Sequence, residues 1–227
     1  MADYVLTPLE DLQGIANTVR VITGENDNFS VSGLCDTMSD LLISNGKKDI
    51  FYSILDRSIE RFEDNEIKEI GLYGLSHCSN LTTVIVPNIE IFGTYSLTFN
   101  RSLRQVYAPQ LKEAGTGCFY ECSSLEALDF TSLNKIVNQT FKNCTILKSL
   151  IIRNTEAVCV LVGINSFEET PIANGTGFIY VPSSLLSAYQ TATNWSVYAS
   201  QFRALEDYTI DGTITGALDP TKIEGEL

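Results

Sequence analysis

Four stretches of the chain repeat one pattern: CSNLTTVIVP at 78–87, NRSLRQVYAP at 100–109, CSSLEALDFT at 122–131 and CTILKSLIIR at 144–153. Their leucines follow one another at a constant step of 22 residues. A fixed step in the twenties, with one short apolar strand per unit, is typical of a solenoid whose units bury their apolar sides against each other. The sequence therefore predicts an α/β solenoid of 22-residue units with a one-sided sheet of parallel strands.

The same step aligns further columns of similar residues on both sides of the leucines. They are Ile70, Phe92, Ala114 and Ile136; Gly71, Gly93 and Gly115; Leu75, Leu97, Phe119 and Phe141; Val84, Val106, Leu128 and Leu150; and Ile89, Leu111 and Leu133. Ile59, Phe62 and Ile67 extend the pattern backwards and indicate a partial unit that begins near Asp56. After about Arg153 the step fails, and GFIYVP at 177–182 indicates one more, irregular unit with an insertion.

Alternation within each strand separates an inward set of residues from an outward set, because successive side chains point to opposite faces. Val84 and Val86 and their equivalents are predicted to point inward. The outward set forms the candidate binding surface and is expected to be exposed: Thr83, Ile85, Gln105, Tyr107, Ala127, Asp129, Ser149 and Ile151.

The stretch IGLYGLSHCSNLTTVIVP at 70–87 resembles the BspA-like leucine-rich repeats of bacteria, and the resemblance extends over about residues 56–182. The resemblance implies a curved solenoid with short helical turns on its convex side. It also implies protein or surface binding and no catalysis. Asn100 departs from the family pattern, since it stands in the cysteine column with Cys78, Cys122 and Cys144.

The column also bears on chemistry, because a reactive group would not be copied in three units and dropped in one. Cys78 and its equivalents are therefore predicted to be small buried side chains at the turn before each strand. His77 is the only histidine, and its column is variable and predicted to face solvent. The chain has no CxxC pair and no GxGxxG, GxxxxGK[ST], HExxH or GxSxG motif. We expect no enzyme activity, no metal site and no cofactor.

Residues 1–48 are predicted to form a separate helical module. Thr7 is placed to cap a helix that has Pro8 and Glu10 in its first turn, and a second helix is predicted from about Ser32. The stretch LEDLQGIANTVRVITGENDNFSVSGLCDTMSDL resembles the helical leader of tail and baseplate proteins from phages and prophages of Gram-positive bacteria. The resemblance implies attachment to a particle. A cap over the first repeat is the structural alternative.

The solenoid is assigned to residues 49–182 and is followed by a predicted helical and aromatic cap at 183–207. Ser183 is expected to cap a helix, and Trp195 is expected to plug the last strand, with a carbohydrate platform as the alternative. Residues 208–227 are predicted to form a β-hairpin with Asp211-Gly212 in its turn, followed by an acidic tail.

Composition limits the partners of this 227-residue chain. Its net charge of −13 lies mostly at the ends, because residues 1–50 carry eight acids against three bases and residues 206–227 carry six against one. This acidity disfavours nucleic acid, which binds clustered Lys and Arg. The start, MADYVLTPLEDL, has no secretory-signal pattern, and no stretch is apolar enough to insert into a membrane.

Two functions remain on the sequence alone. The first is a tail-associated virion protein of a phage or prophage, whose N-terminal module binds other virion proteins and whose solenoid recognises a host surface protein or glycan. The second is a bacterial surface or secreted adhesin, or a protein-interaction module. The sequence leaves open whether the chain forms a homo-oligomer.

Overall fold

The computed structural model describes residues 57–210 and 223–224. The strands within the described residues are two to four residues long. They are β1 (Arg61–Glu63), β2 (Glu69–Ile70), β3 (Thr83–Ile85), β4 (Ile91–Phe92), β5 (Gln105–Tyr107), β6 (Glu113–Ala114), β7 (Ala127–Phe130), β8 (Lys135–Ile136), β9 (Ser149–Ile152), β10 (Val160–Leu161), β11 (Phe178–Val181), β12 (Phe202–Ala204), β13 (Thr209–Ile210) and β14 (Ile223–Glu224).

The strand register follows the 22-residue step of the sequence. Val84 lies in parallel register with Phe62 on one side and with Val106 on the other, and Leu128 lies in register with Leu150. These strands form two parallel groups, β1-β3-β5 and β7-β9-β11-β12, with β5 beside β7. Phe178 pairs with Ser149, 29 residues earlier, so the irregular unit at 177–182 and its preceding insertion are confirmed.

A second parallel sheet lies on another side of the solenoid, in the order β10-β8-β6-β4-β2. The prediction of a one-sided sheet is therefore wrong. The second sheet forms because the column of Ile70, Phe92, Ala114 and Ile136 points inward and is buried, while the next residue in three units is glycine. A Cβ on Gly115 would lie 2.7 Å from the Phe92 carbonyl oxygen, so only glycine lets adjacent units approach this closely.

The connecting turns are not the short helices that the resemblance implies. Two columns adopt the left-handed backbone conformation in each unit: Tyr73, Tyr95, Gly117 and Gln139, and then His77, Phe99, Glu121 and Asn143. This geometry points alternate N–H groups at the next unit, so that Leu97 N–H donates to the Cys118 carbonyl and Phe99 N–H to the Tyr120 carbonyl. The turns are thus bonded between units, and within the described residues the only α-helix is α1 (Leu186–Thr191).

One continuous apolar core runs between the sheets and the turns, from Ile59 to Phe202. Four aromatic rings contact one another in succession within this core. Phe119, Phe141, Phe167 and Trp195 succeed one another at centroid separations of 5.7, 5.3 and 5.9 Å. Trp195 is 1% exposed, so it fills the end of the core as expected of a plug and does not present a carbohydrate platform.

The cap contains α1 and 3-10 turns at Ser183–Leu185 and Ser196–Gln201, so it is less helical than predicted. Ser183 makes no side-chain cap, and Leu185 takes the N-cap position of α1. Polar tips of the cap instead satisfy the backbone of the last repeat. Trp195 Nε1 donates to the Cys159 carbonyl at 2.6 Å, Tyr189 OH accepts from the Cys159 N–H at 2.9 Å, and Asn194 Nδ2 donates to the Leu161 carbonyl at 2.8 Å.

The C-terminal strand pairing differs from the expected tight hairpin. Thr209 and Ile210 pair in antiparallel register with Glu224 and Ile223, and not with the residues directly after Asp211-Gly212. The predicted helical module at 1–48 lies outside the described residues, and so do Asp211-Gly212 and the predicted acidic tail apart from Ile223 and Glu224.

Candidate binding surface

The strand face is the outward surface of β1, β3, β5, β7, β9 and β11, and it holds all eight predicted site residues. Only Gln105 is well exposed, and Tyr107 and Asp129 are half-buried. Thr83 and Ile85 are each 8% exposed. Ala127, Ser149 and Ile151 are fully buried, so the prediction that these three residues, Thr83 and Ile85 are exposed is wrong.

A segment from the C-terminal side covers this part of the strand face. Ala127, Ile151 and Tyr180 form a small apolar cluster apart from the main core, and Leu205 and Tyr208 pack on it. The Tyr208 ring meets the Tyr180 ring edge-on at 5.2 Å. Residues 205–208 are distant in sequence from β7 and β9, which is why the alternation within the strands gives no sign of the cover. Phe178, on β11, lies at the edge of the same cluster.

Two hydroxyl groups are buried beneath this cover and have no hydrogen-bond partner of normal geometry among the described residues: Ser149 Oγ and Tyr180 OH. Burial is the main cause that raises the pKa of Tyr180 to about 12, and the nearby Tyr208 acts in the same direction. Ser149 and Arg203 act against this rise. Sequence reasoning missed Tyr180, although extending the outward column from Ile151 into GFIYVP would have found it, since the two residues lie in register.

The uncovered part of the strand face is polar and carries both charges. Arg61 and Glu63 form an exposed ion pair on β1 at 2.8 Å. Asp129 on β7 accepts a bidentate pair of hydrogen bonds from Arg153, at 2.7 to 2.9 Å. Tyr107 lies on β5, which is between β3 and β7, with Gln105 two residues before it. An amphipathic tyrosine on a polar surface is the kind of contact that protein interfaces favour.

A separate groove of about 480 Å³ runs over the second sheet. The residues that line this groove include Gly93, Gly115, Glu69, Ile91, Glu113 and Lys135. The glycines are required for packing between units, so the groove follows from the architecture of the solenoid. No candidate site residue from the sequence lies in it.

The cysteine column is structural, as predicted. Cys78, Cys122 and Cys144 are fully buried, and the Sγ atoms of Cys122 and Cys144 lie 3.1 and 3.0 Å from the carbonyl oxygens of Leu97 and Phe119. Burial raises the pKa of Cys122, and it raises the pKa of Cys144 to about 12. His77 is exposed, and its ring packs on Phe99. Among the residues that the structure describes, no group of three or more His, Cys, Asp or Glu residues is arranged to hold a metal ion.

Stacked 22-residue units, parallel strands and a face summed over several repeats define a leucine-rich-repeat solenoid. The family model for the BspA type leucine rich repeat region matches residues 45–192 in six copies, and the chain belongs to this family. Protein binding is the general role of leucine-rich-repeat domains. Within the described part of the chain, no helix has the length and apolar character needed to cross a bilayer.

The crystal structure of the pneumococcal vaccine antigen PcpA is similar to part of the chain. The identity is 18% and the TM-score 0.39, over 65% of this chain and 40% of that one. The similarity thus spans less than half of the length of the PcpA structure. No curated protein matches the chain.

Proposed function

We propose that the chain is a non-catalytic recognition protein that binds a protein or a glycan on a cell surface through the uncovered part of its strand face. The row of Gln105, Tyr107 and Asp129 carries this proposal, because it brings polar and aromatic groups from neighbouring repeats onto one surface. A half-buried tyrosine has less side-chain freedom to lose on binding than an exposed one, which favours affinity.

Two locations fit such a protein. In the first, residues 1–48 attach the chain to other virion proteins of a phage or prophage tail, and the solenoid projects toward the host. The resemblance of the N-terminal sequence to phage leaders favours this location. In the second, the chain works at the bacterial surface or outside the cell as an adhesin, which suits its membership of the BspA-type family.

Recognition is tested with the full chain, fluorescently labelled and added to a panel of intact Gram-positive bacteria in flow cytometry. We expect Tyr107→Ser to weaken binding about tenfold, since truncation of an aromatic anchor typically costs more than about 1 kcal/mol. Tyr120→Ser is the matched control, because Tyr120 is also half-buried but lies in a turn outside the strand face. Equal binding by wild type and Tyr107→Ser would exclude this surface.

Treating the cells separates the two receptor classes. Protease treatment abolishes binding to a protein receptor, and periodate oxidation abolishes binding to a glycan. Immunogold labelling of purified particles and of producing cells then separates the two locations. Particles without label would exclude the virion, and unlabelled cell surfaces and culture medium would exclude the adhesin.

A further inference from the structure

A segment of the same chain, residues 205–208, lies on part of the strand face in the way a bound peptide would. Ala127, Ile151 and Tyr180 point outward from β7, β9 and β11, yet all three are fully buried. On β5, one strand further along, Gln105 at the position equivalent to Ala127 remains exposed. Leu205 and Tyr208 of the segment 205–208 pack on Ala127, Ile151 and Tyr180 and contribute to the burial of these three side chains.

The covering segment 205–208 is short and contacts the rest of the chain through few side chains. Leu205 and Tyr208 contact the apolar cluster and are themselves only half-buried, while Glu206 and Asp207 between them are exposed. The Glu206 carboxylate accepts a hydrogen bond from the Ser183 N–H at 2.8 Å, which anchors the segment to the cap. An aliphatic and an aromatic side chain three residues apart thus fill a site built from three strands.

The fit of this segment is incomplete in its polar part. Ser149 Oγ and Tyr180 OH are buried close to each other, and among the described residues neither has a partner of normal hydrogen-bond geometry. A buried hydroxyl without a hydrogen bond costs free energy that an appropriate ligand would recover. The part of the site that Leu205 and Tyr208 contact is apolar. The Ser149 and Tyr180 hydroxyls lack hydrogen-bond partners of normal geometry among the described residues.

We propose that the face formed by Ala127, Ser149, Ile151 and Tyr180 is a peptide-binding site that residues 205–208 occupy in cis. The partner is a protein segment with an aliphatic and an aromatic residue three positions apart and a hydrogen-bonding group between them. This group bonds to the Ser149 and Tyr180 hydroxyls, so the partner displaces the intramolecular segment. The inference rests on the proposed function, because it extends recognition by the strand face to its covered half.

The test opens the face in the full-length chain and offers the segment in trans. Leu205→Ser combined with Tyr208→Ser removes both apolar anchors from the cover. The probe is the fluorescein-labelled peptide ALEDYT, residues 204–209, titrated in fluorescence anisotropy. We expect the opened variant to bind it at least about tenfold more tightly than the wild type, because the wild-type site is already occupied in cis.

Peptide variants supply the controls that leave the protein unchanged. Replacing the peptide's leucine and tyrosine with alanine should abolish binding to the opened variant. In the protein, Ile151→Asn should abolish it as well, whereas Ile146→Asn, at a partly exposed isoleucine outside the strand face, should not. Thermal unfolding by circular dichroism verifies that each protein variant is folded.

Three results would overturn the proposal. The opened variant, folded, binds no peptide; or it binds the alanine peptide as well as the original; or wild type and opened variant bind equally. A wild-type dimer that becomes monomeric on opening would also overturn it, since the segment would then be exchanged between copies. If Tyr107→Ser weakens cell binding as expected while the peptide fails to bind, the proposed function stands and only this inference falls.

Discussion

Asn100 bonds to the backbone of the preceding repeat at the position of Cys78. Its Oδ1 accepts a hydrogen bond from the Cys78 N–H, and its Nδ2 donates to the Leu75 carbonyl, both at 2.8 Å. In the next two units a cysteine Sγ lies at the same carbonyl position. Asparagine and cysteine can thus occupy one column because both donate to the equivalent buried backbone carbonyl.

Replacing Asn100 with alanine should strongly destabilise the chain. Asn100→Ala removes the side-chain hydrogen bonds to a buried N–H and a buried carbonyl, and the loss of each costs about 1–3 kcal/mol. We expect the free energy of unfolding in urea to fall by about 2–4 kcal/mol. Asn100→Cys should recover part of the loss, because a thiol is a weak donor at the Leu75 carbonyl. If alanine and cysteine have the same small effect, the column does not act through these bonds.

The buried thiols should react slowly in the native protein. Cys78, Cys118, Cys122, Cys144 and Cys159 are all buried, and only a thiolate attacks a disulfide reagent. In a chain that retains these five cysteines and carries Cys35→Ser, we expect labelling by a thiol-specific dye to be at least about a hundredfold slower in buffer than in denaturing urea. Rapid native labelling of the column would contradict the packing role.

Stability should decline at alkaline pH because of these same groups. The pKa of Cys144 is raised to about 12 in the folded chain, whereas an unfolded cysteine titrates near about 8.5. The unfolded chain thus loses its proton first, so the stabilisation is complete below about pH 8.5 and is lost as the pH rises toward 12. We expect a lower urea midpoint at pH 10.5 than at pH 8.

Cys144→Ala tests the origin of that decline. Its own stability at pH 8 is lower because of lost packing, but its further loss between pH 8 and 10.5 should be smaller than in the wild type. An unchanged slope would assign the effect to other groups. Tyr180, whose pKa is also raised to about 12, is the next group to test, with Tyr180→Phe.

The inward columns were predictable because the burial pattern repeats with the sequence. Val84 and Val106 are chemically alike and occupy equivalent places, so a fixed step of 22 residues gives their register directly. The position of Trp195 was predictable for a related reason. The apolar core ends at the last repeat, and a large aromatic side chain directly after that repeat can cover the end. Burial of Trp195 agrees with this expectation.

The errors concern contacts that no periodic pattern encodes. The strands of the second sheet are only two residues long, as in Glu113–Ala114, and their pairing depends on the stacking of whole units. Ile151 lies on the predicted outward side, but whether that side meets solvent depends on Leu205 and Tyr208, more than fifty residues away in sequence. Alternation gives a side chain's direction and not what covers it.

Replacing a residue of the glycine column, even with alanine, should destabilise the chain. A Cβ on Gly115 would come within 2.7 to 3.1 Å of three backbone atoms of the preceding unit, none of which can move independently. We expect Gly115→Ala to lower the free energy of unfolding by about 1–3 kcal/mol, as overpacking of a close contact does. Thr116→Ala, at the adjacent half-buried position, should change it by less than about 1 kcal/mol.

The cap gives the last prediction, because Trp195 joins two kinds of stabilisation in one side chain. Its ring continues the stack of Phe141 and Phe167, and its Nε1 donates to the Cys159 carbonyl at 2.6 Å. We expect Trp195→Ala to cost about 3–5 kcal/mol, the range for deletion of a buried large aromatic side chain. Trp195→Phe keeps most of the ring and loses the hydrogen bond, so it should cost less.

Circular dichroism in urea measures both variants, and the wild type adds fluorescence from this single tryptophan. A buried indole in an apolar site emits at shorter wavelength than in water, so the emission of the wild type should shift to the red in the same transition that removes the circular dichroism signal. If Trp195→Ala unfolds at the wild-type urea concentration, the plug does not stabilise the solenoid. A red shift that precedes the main transition would show that the cap opens before the repeats unfold.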